Sequence, residues 1–157
     1  MGALTLAALA LLAAACGGGH QNTPISSTTE AALKLGSDRE VLLEAAAEVR
    51  VQQVSASADF INQLHIEGQD IRHSFTCSED GVGIEIESVP AGEITLSLTT
   101  SQGYRYFTGP ASRNPDGKVH ARIEQLMPSR LQIVWEDYFG GGDEDFNDCV
   151  VILNVRS

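Results

Sequence analysis

Between Glu48 and Ser157 runs in which apolar residues recur at every second position follow one another, and this period of two restricts the fold more than any other feature of the chain. It is visible in Val49-Arg50-Val51-Gln52, in Ile84-Glu85-Ile86-Glu87 and most cleanly in Ile94-Thr95-Leu96-Ser97-Leu98-Thr99. Val119-His120-Ala121-Arg122-Ile123, Leu131-Gln132-Ile133 and Cys149 to Val155 repeat it. Successive side chains of a strand point to opposite faces, so such alternation predicts strands with one buried and one wet face. Turn signals separate the runs: Glu79-Asp80-Gly81, Pro90-Ala91-Gly92, Asn114-Pro115-Asp116-Gly117 and Gly140-Gly141-Gly142. Roughly seven to nine strands, with turns about every 8–14 residues, predict an all-β fold, an antiparallel β-sandwich or jelly-roll-like domain over residues 48–157. A chain of 157 residues leaves room for one such domain.

The first 47 residues read differently. Ala3 to Ala15 is an apolar run of thirteen, broken only by Thr5. As a helix it would rise about 20 Å, short of the roughly 30 Å hydrocarbon core of a bilayer, so it reads as the core of a signal peptide rather than a span. Leu12-Ala13-Ala14-Ala15-Cys16 resembles a bacterial lipobox, although Ala13 stands where Leu is favoured and no Lys or Arg precedes Ala3. The resemblance implies a lipoprotein signal peptide over residues 1–15 and lipidation of Cys16. Gly17 after the Cys implies an outer-membrane destination in a Gram-negative host; an ordinary secretory signal is the alternative. An acyl chain contributes about 0.8 kcal/mol per buried CH₂ and anchors without spanning. Residues 16–47 are expected to form a flexible tether and a short helix. Gly17 to Thr29 is rich in small polar residues. Ser37-Asp38-Arg39-Glu40 has the form of a capping box opening onto Val41-Leu42-Leu43-Glu44-Ala45-Ala46-Ala47.

Ten Lys and Arg against 21 Asp and Glu leave a net charge of −11, which repels a nucleic-acid backbone and suits cations or ligands indifferent to charge. Six of those acids fall between Trp135 and Asp148, with no base among them. Two like charges about 5 Å apart in water repel by roughly 0.8 kcal/mol, so such crowding calls for compensation. Asp143, Asp145 and Asn147 stand at i, i+2 and i+4, the oxygen pattern with which Ca²⁺ loops wrap a hard cation. Gly140 to Gly142 just before them permit a tight turn. The loop is not an EF-hand, since no Gly follows Asn147 and Asn154 stands where the bidentate Glu belongs. A solvated acidic hairpin, its Asp and Asn side chains capping turn N–H groups, fits the same residues.

The string from Trp135 to Val151 resembles the C-terminal signature of a bacterial family known as domain of unknown function 4114. Trp135, Glu136 and Asp137, the Gly140–Gly142 turn, Asp143, Asp145, Phe146, Asn147, Asp148, Val150 and Val151 carry the likeness. Asn114-Pro115-Asp116-Gly117 with His120, and more faintly Val51 to Leu64 with Ser57-Ala58-Asp59-Phe60 and Asn62, extend it over roughly the last 100 residues. Cys149 and Glu144 depart from the pattern, where an aliphatic and a basic or neutral residue are usual. The resemblance implies an all-β module of secreted and cell-surface proteins, often within large calcium-dependent adhesins, and no catalytic chemistry. It implies a structural Ca²⁺ with Asp143, Asp145 and Asn147 as loop ligands. Glu136, Asp137 and Asp148 would close the site from adjoining strand ends, with Asp116 reaching in from a neighbouring loop. Trp135 and Phe146 are expected in the core, and His120 as a hydrogen-bonded sheet residue, since Ca²⁺ prefers oxygen.

Strand parity points both Cys77 and Cys149 inward. In an oxidising envelope they can form a disulfide closing a loop of about 70 residues, worth roughly 3–4 kcal/mol; as free thiols they would pack as small hydrophobes. The chain has no Gly-x-Ser-x-Gly elbow, His-Glu-x-x-His, P-loop or dinucleotide fingerprint, so no enzyme is expected. The leading expectation is a lipid-anchored module of the bacterial envelope with a Ca²⁺-binding acidic loop, serving adhesion or ligand binding. Two alternatives make different demands. A glycan-binding module would use the metal beside an exposed Tyr104, Tyr106 or Tyr138. An envelope hydrolase would need a cleft lined by His65, His73 or His120.

Overall fold

The computed structural model describes residues 31–78 and 81–157. The expected signal peptide over residues 1–15, the expected lipidation at Cys16, the expected tether up to residue 30 and the expected turn at Glu79 and Asp80 lie outside them. The strands are β1 (Leu33–Leu35), β2 (Val41–Leu43), β3 (Ala47–Ser55), β4 (Asn62–Gly68), β5 (Ile71–Cys77) and β6 (Gly83–Val89). They continue with β7 (Gly92–Thr100), β8 (Arg105–Phe107), β9 (Ala121–Met127), β10 (Arg130–Trp135) and β11 (Cys149–Arg156). A 3₁₀ turn, Ala111–Arg113, interrupts them. Every strand pairing is antiparallel. One sheet runs β1-β2-β7-β4-β5, with β8 beside β2 on the same edge of β7; the other runs β6-β3-β11-β10-β9. The alternating residues of β3, β10 and β11 (Val49, Val51, Leu131, Ile133, Val151, Leu153) are fully buried. They share one core with Leu64, Ile66, Ile94, Leu96 and Leu98 of the opposing sheet. The expected β-sandwich is the fold.

The helix expected over Ser37 to Ala47 is absent: the segment holds a turn, β2 and the first residue of β3. Glu40 does not close a capping box: its Oε2 accepts the Asp38 N–H at 3.2 Å, and Gly36 N–H bonds the Glu40 carbonyl at 2.8 Å. Arg39, at φ 64°, turns the chain back so that β2 pairs with both β1 and β7. Val41 and Leu43 are buried at alternate positions, which a strand achieves in three residues and a helix cannot. Sheet pairing thus overrides the helical preference of an alanine-rich segment. The same two strands carry the sandwich upstream of the expected boundary at residue 48.

Cys77 at the end of β5 and Cys149 at the start of β11 are joined in a disulfide, with Cα atoms 5.9 Å apart. It ties an edge of one sheet to the centre of the other at the end of the sandwich where the acidic residues lie.

Candidate metal centre

β10 and β11 are adjacent antiparallel strands whose paired ends are Trp135 and Cys149. The chain from Glu136 to Asp148 is therefore one hairpin loop, and its first and last residues emerge side by side. Asp137 N–H donates to Asp148 Oδ2 at 2.7 Å, and Asp148 N–H to the Trp135 carbonyl at 3.2 Å. Glu136, Asp137 and Asp148 are all buried, at 2%, 3% and 8% exposure. Between them the Gly140–Gly142 turn runs through positive φ and reverses the loop over Glu136. A side chain at Gly142 would collide with Glu136 Oε1 and the Tyr138 Cβ, so only glycine lets the backbone pass there.

These residues line a cavity of about 580 Å³, together with Ser57, Asp59, Tyr138, Gly142, Asp143, Asp145 and Asn147. No cation is among them. One oxygen each from Glu136, Asp143 and Asp145 lie within 4.8 Å of one another, and so do one each from Glu136, Asp137 and Asp148. Both triads have the spacing to hold a metal ion. All six residues expected as ligands are thus brought to one cavity, with Asn147 at its rim and its amide nitrogen on the Asp145 carboxylate.

The electrostatics are those of a crowded site. Burial, and then the charges of Asp137, Glu136 and Asp145, push the Asp148 carboxyl up to about 7, against the lowering effect of the Asp137 N–H. Burial also raises Glu136 and Asp137, the latter partly offset by Asn62, whose amide donates to Asp137 Oδ2 at 2.7 Å. Glu136 Oε1 is met only by a long 3.4 Å contact from the Tyr138 N–H, and Oε2 is buried with no hydrogen-bond partner. An orphaned buried carboxylate oxygen is costly, and a cation is the group that would satisfy it. The residues fit a hard metal ion.

Asp116 does not join the donor set. It sits under the loop and braces it: its Oδ2 accepts the His120 Nε2–H and the Gly140 N–H, each at 2.8 Å, and its Oδ1 accepts the Lys118 N–H at 3.0 Å. Burial works against its charge, but these hydrogen bonds prevail and hold the carboxyl down to about 2. The His120 ring is fully buried, with Nδ1 on the Glu136 carbonyl at 2.8 Å and its face stacked on Tyr106 at 3.6 Å. Asp116→Asn would turn an amide against a donor in either orientation. The variant is expected to lose about 2–4 kcal/mol in urea unfolding, as for a broken buried charge network. Asp116 in the native chain contributes stability that is present above its unfolded value near 4 and lost as pH falls through about 2, and the variant should lack that acid limb.

Tyr106 is fully buried and so is not an exposed candidate for sugar stacking, whereas Tyr104 and Tyr138 are 36% and 51% exposed. Trp135 and Phe146 are buried, the latter under the Arg122 guanidinium at 3.6 Å. His65 on β4 and His73 on β5 lie on strands away from the cavity. Ser57, Asp59 and Asn62 are site residues that no spacing in the sequence marks. Ser57 and Asp59 come from the β3–β4 connection and Asn62 opens β4, and the connection is pinned to the loop by the Ser57 N–H on the Asn147 carbonyl at 3.1 Å.

Fold and site together define a β-sandwich module with an acidic, metal-competent cavity at one end. Residues 87–156 match the model of the family described as Domain of unknown function (DUF4114). That span covers β7 to β11 and the whole acidic loop, and it stops short of the fainter likeness expected between Val51 and Leu64. No curated protein matches the chain.

Proposed function

We propose that the chain is a Ca²⁺-stabilised β-sandwich module, held on the bacterial cell envelope by a lipid at Cys16, where it serves adhesion or ligand binding. The observation that carries the metal reading is Glu136 Oε2, buried without a partner in a cavity whose charged side chains are all carboxylates. Carboxylate, amide and hydroxyl oxygens are the donors, with no thiol or imidazole, which suits a hard cation. Ca²⁺ takes six to eight oxygens in irregular geometry, whereas Mg²⁺ demands a tight octahedron; a wide, many-oxygened cavity favours the former. The ion is structural in this reading. It offsets the repulsion of the loop and locks the ends of β10 and β11, and its binding free energy adds to the stability of the fold. The membrane anchor and the outer-membrane placement rest on the sequence of residues 1–17. The module is read as a binding element rather than an enzyme.

One observation favours a glycan ligand. Tyr138 lies at the rim of the cavity, half exposed and stacked with Phe60 at 5.9 Å, while Tyr104 packs on an exposed Phe139 at 4.8 Å. Aromatic faces beside a cation are the components that grip a sugar ring and its hydroxyls.

Calorimetric titration with CaCl₂ tests the metal reading. Saturable binding is expected in the native chain, weakened at least about tenfold (about 1.4 kcal/mol) in Asp145→Ala. Absence of saturable heat at millimolar calcium would overturn it.

A further inference from the structure

Resting on the calcium reading above, we infer that the cavity takes two divalent cations rather than one, with the Glu136 carboxylate bridging them. The argument begins with the two triads. Donor oxygens on opposite sides of one Ca²⁺ lie about 5 Å apart, so a set of oxygens within 4.8 Å of one another fits one coordination sphere. Glu136, Asp143 and Asp145 form one such set, and Glu136, Asp137 and Asp148 another. Glu136 is the only residue in both.

The two sets also differ in setting. Asp137 and Asp148 are buried at the strand ends, their geometry fixed by Asn62 and by the Asp137 N–H. Asp143 and Asp145 are exposed and belong to the glycine turn. That gives an inner and an outer position on either side of one carboxylate. Glu136 is placed for the role. It is 2% exposed, Oε2 has no partner, and Oε1 has only the long contact from Tyr138. Neither oxygen is taken up by a close hydrogen bond.

Charge points the same way. Asp59, Glu136, Asp137, Asp143, Asp145 and Asp148 bring six carboxyl groups to the cavity; one divalent ion offsets two negative charges and a pair offsets four. At about 580 Å³ the cavity has room for two ions with water between them and the rim, since a water occupies about 30 Å³.

Equilibrium dialysis with ⁴⁵Ca²⁺ on the full chain, at about 0.15 M salt to screen adventitious surface binding, reads the stoichiometry directly. Two ions per chain are expected. Asp145→Asn should retain only the inner ion and Asp148→Asn only the outer one, while Glu136→Gln should weaken both sites at least 100-fold. Circular dichroism identifies any variant that fails to fold; the native chain and the exposed Asp145→Asn decide the count without the buried variants. A single ion in the native chain overturns the pair and leaves the calcium reading standing. Two ions held undiminished by a folded Glu136→Gln overturn the bridge. No bound ion overturns both readings together.

Discussion

Excess EDTA is expected to lower the thermal midpoint of the native chain by about 10 °C at pH 8 and by much less at pH 5. The size follows from linkage: a ligand present at about a hundred times its Kd stabilises by roughly 2.7 kcal/mol, and about 1 kcal/mol moves the midpoint of a domain of this size by some 4 °C. The pH dependence follows from Asp148. Its carboxyl is raised to about 7 in the folded chain without metal, against about 4 when unfolded. A raised value contributes stability that is fully present below pH 4 and is lost as pH rises through 7. At pH 5 a proton does part of the work of a cation, because Asp148 is neutral and the inner triad carries less charge. At pH 8 that proton is gone and the repulsion among Glu136, Asp137 and Asp148 is uncompensated unless an ion is present. Melting curves at the two pH values, with calcium and then with chelator, provide the check. Equal chelator effects would remove Asp148 from the metal site, and an unchanged midpoint at pH 8 would remove the metal.

How far the sequence discloses this arrangement depends on whether the signal is local. β3, β7, β10 and β11 are legible because each buries one face for six residues or more, long enough for the period of two to stand out. β1 and β2 are not. Three-residue strands leave no period, and the helical preference of the segment running into Ala45-Ala46-Ala47 is overcome only by the pairing of Val41–Leu43 with β7 and of Ala47 with Val89 on β6. Asp143, Asp145 and Asn147 are legible through their spacing within one turn. Glu136, Asp137 and Asp148 are legible through the family likeness, and the register of Trp135 on Cys149 explains why they meet. Ser57, Asp59 and Asn62 are invisible as site residues because they reach the cavity only through the sheet order, which puts β3 beside β11 and the start of β4 against Asp137. The family likeness implies that Asp116 reaches the ion. The turn from Asn114 to Lys118 instead points it at His120 and Gly140, a geometry that no spacing rule encodes.

Removing the Cys77–Cys149 bridge is expected to have the largest effect on stability of any single change. The disulfide spans 72 residues, and in the chain-entropy account a loop of that length restricts the unfolded ensemble by about 4 kcal/mol. Cys77→Ala with Cys149→Ala should therefore lower the thermal midpoint by roughly 15 °C, a larger shift than chelation. The two changes should also be coupled. Cys149 directly follows Asp148 and pairs with Trp135, so the bridge fixes the strand end from which Asp137 and Asp148 reach the cavity. Groups sharing one element couple, and a double-mutant cycle measures the coupling. The loss on chelation should be greater without the bridge than with it if the disulfide holds the paired chain but the ion must organise the open one. It should be smaller if the bridge pre-forms the site and calcium binds the reduced chain weakly. Two features favour the second outcome: Asn62, a ligand support, lies directly opposite Cys77 in the β4–β5 register, and the bridge joins that pair to β11. Calcium affinity of the double variant is accordingly expected to fall about tenfold by calorimetry, with the chelation shift shrinking to match. Undiminished affinity would make the bridge a staple for the fold alone, independent of the acidic loop beside it.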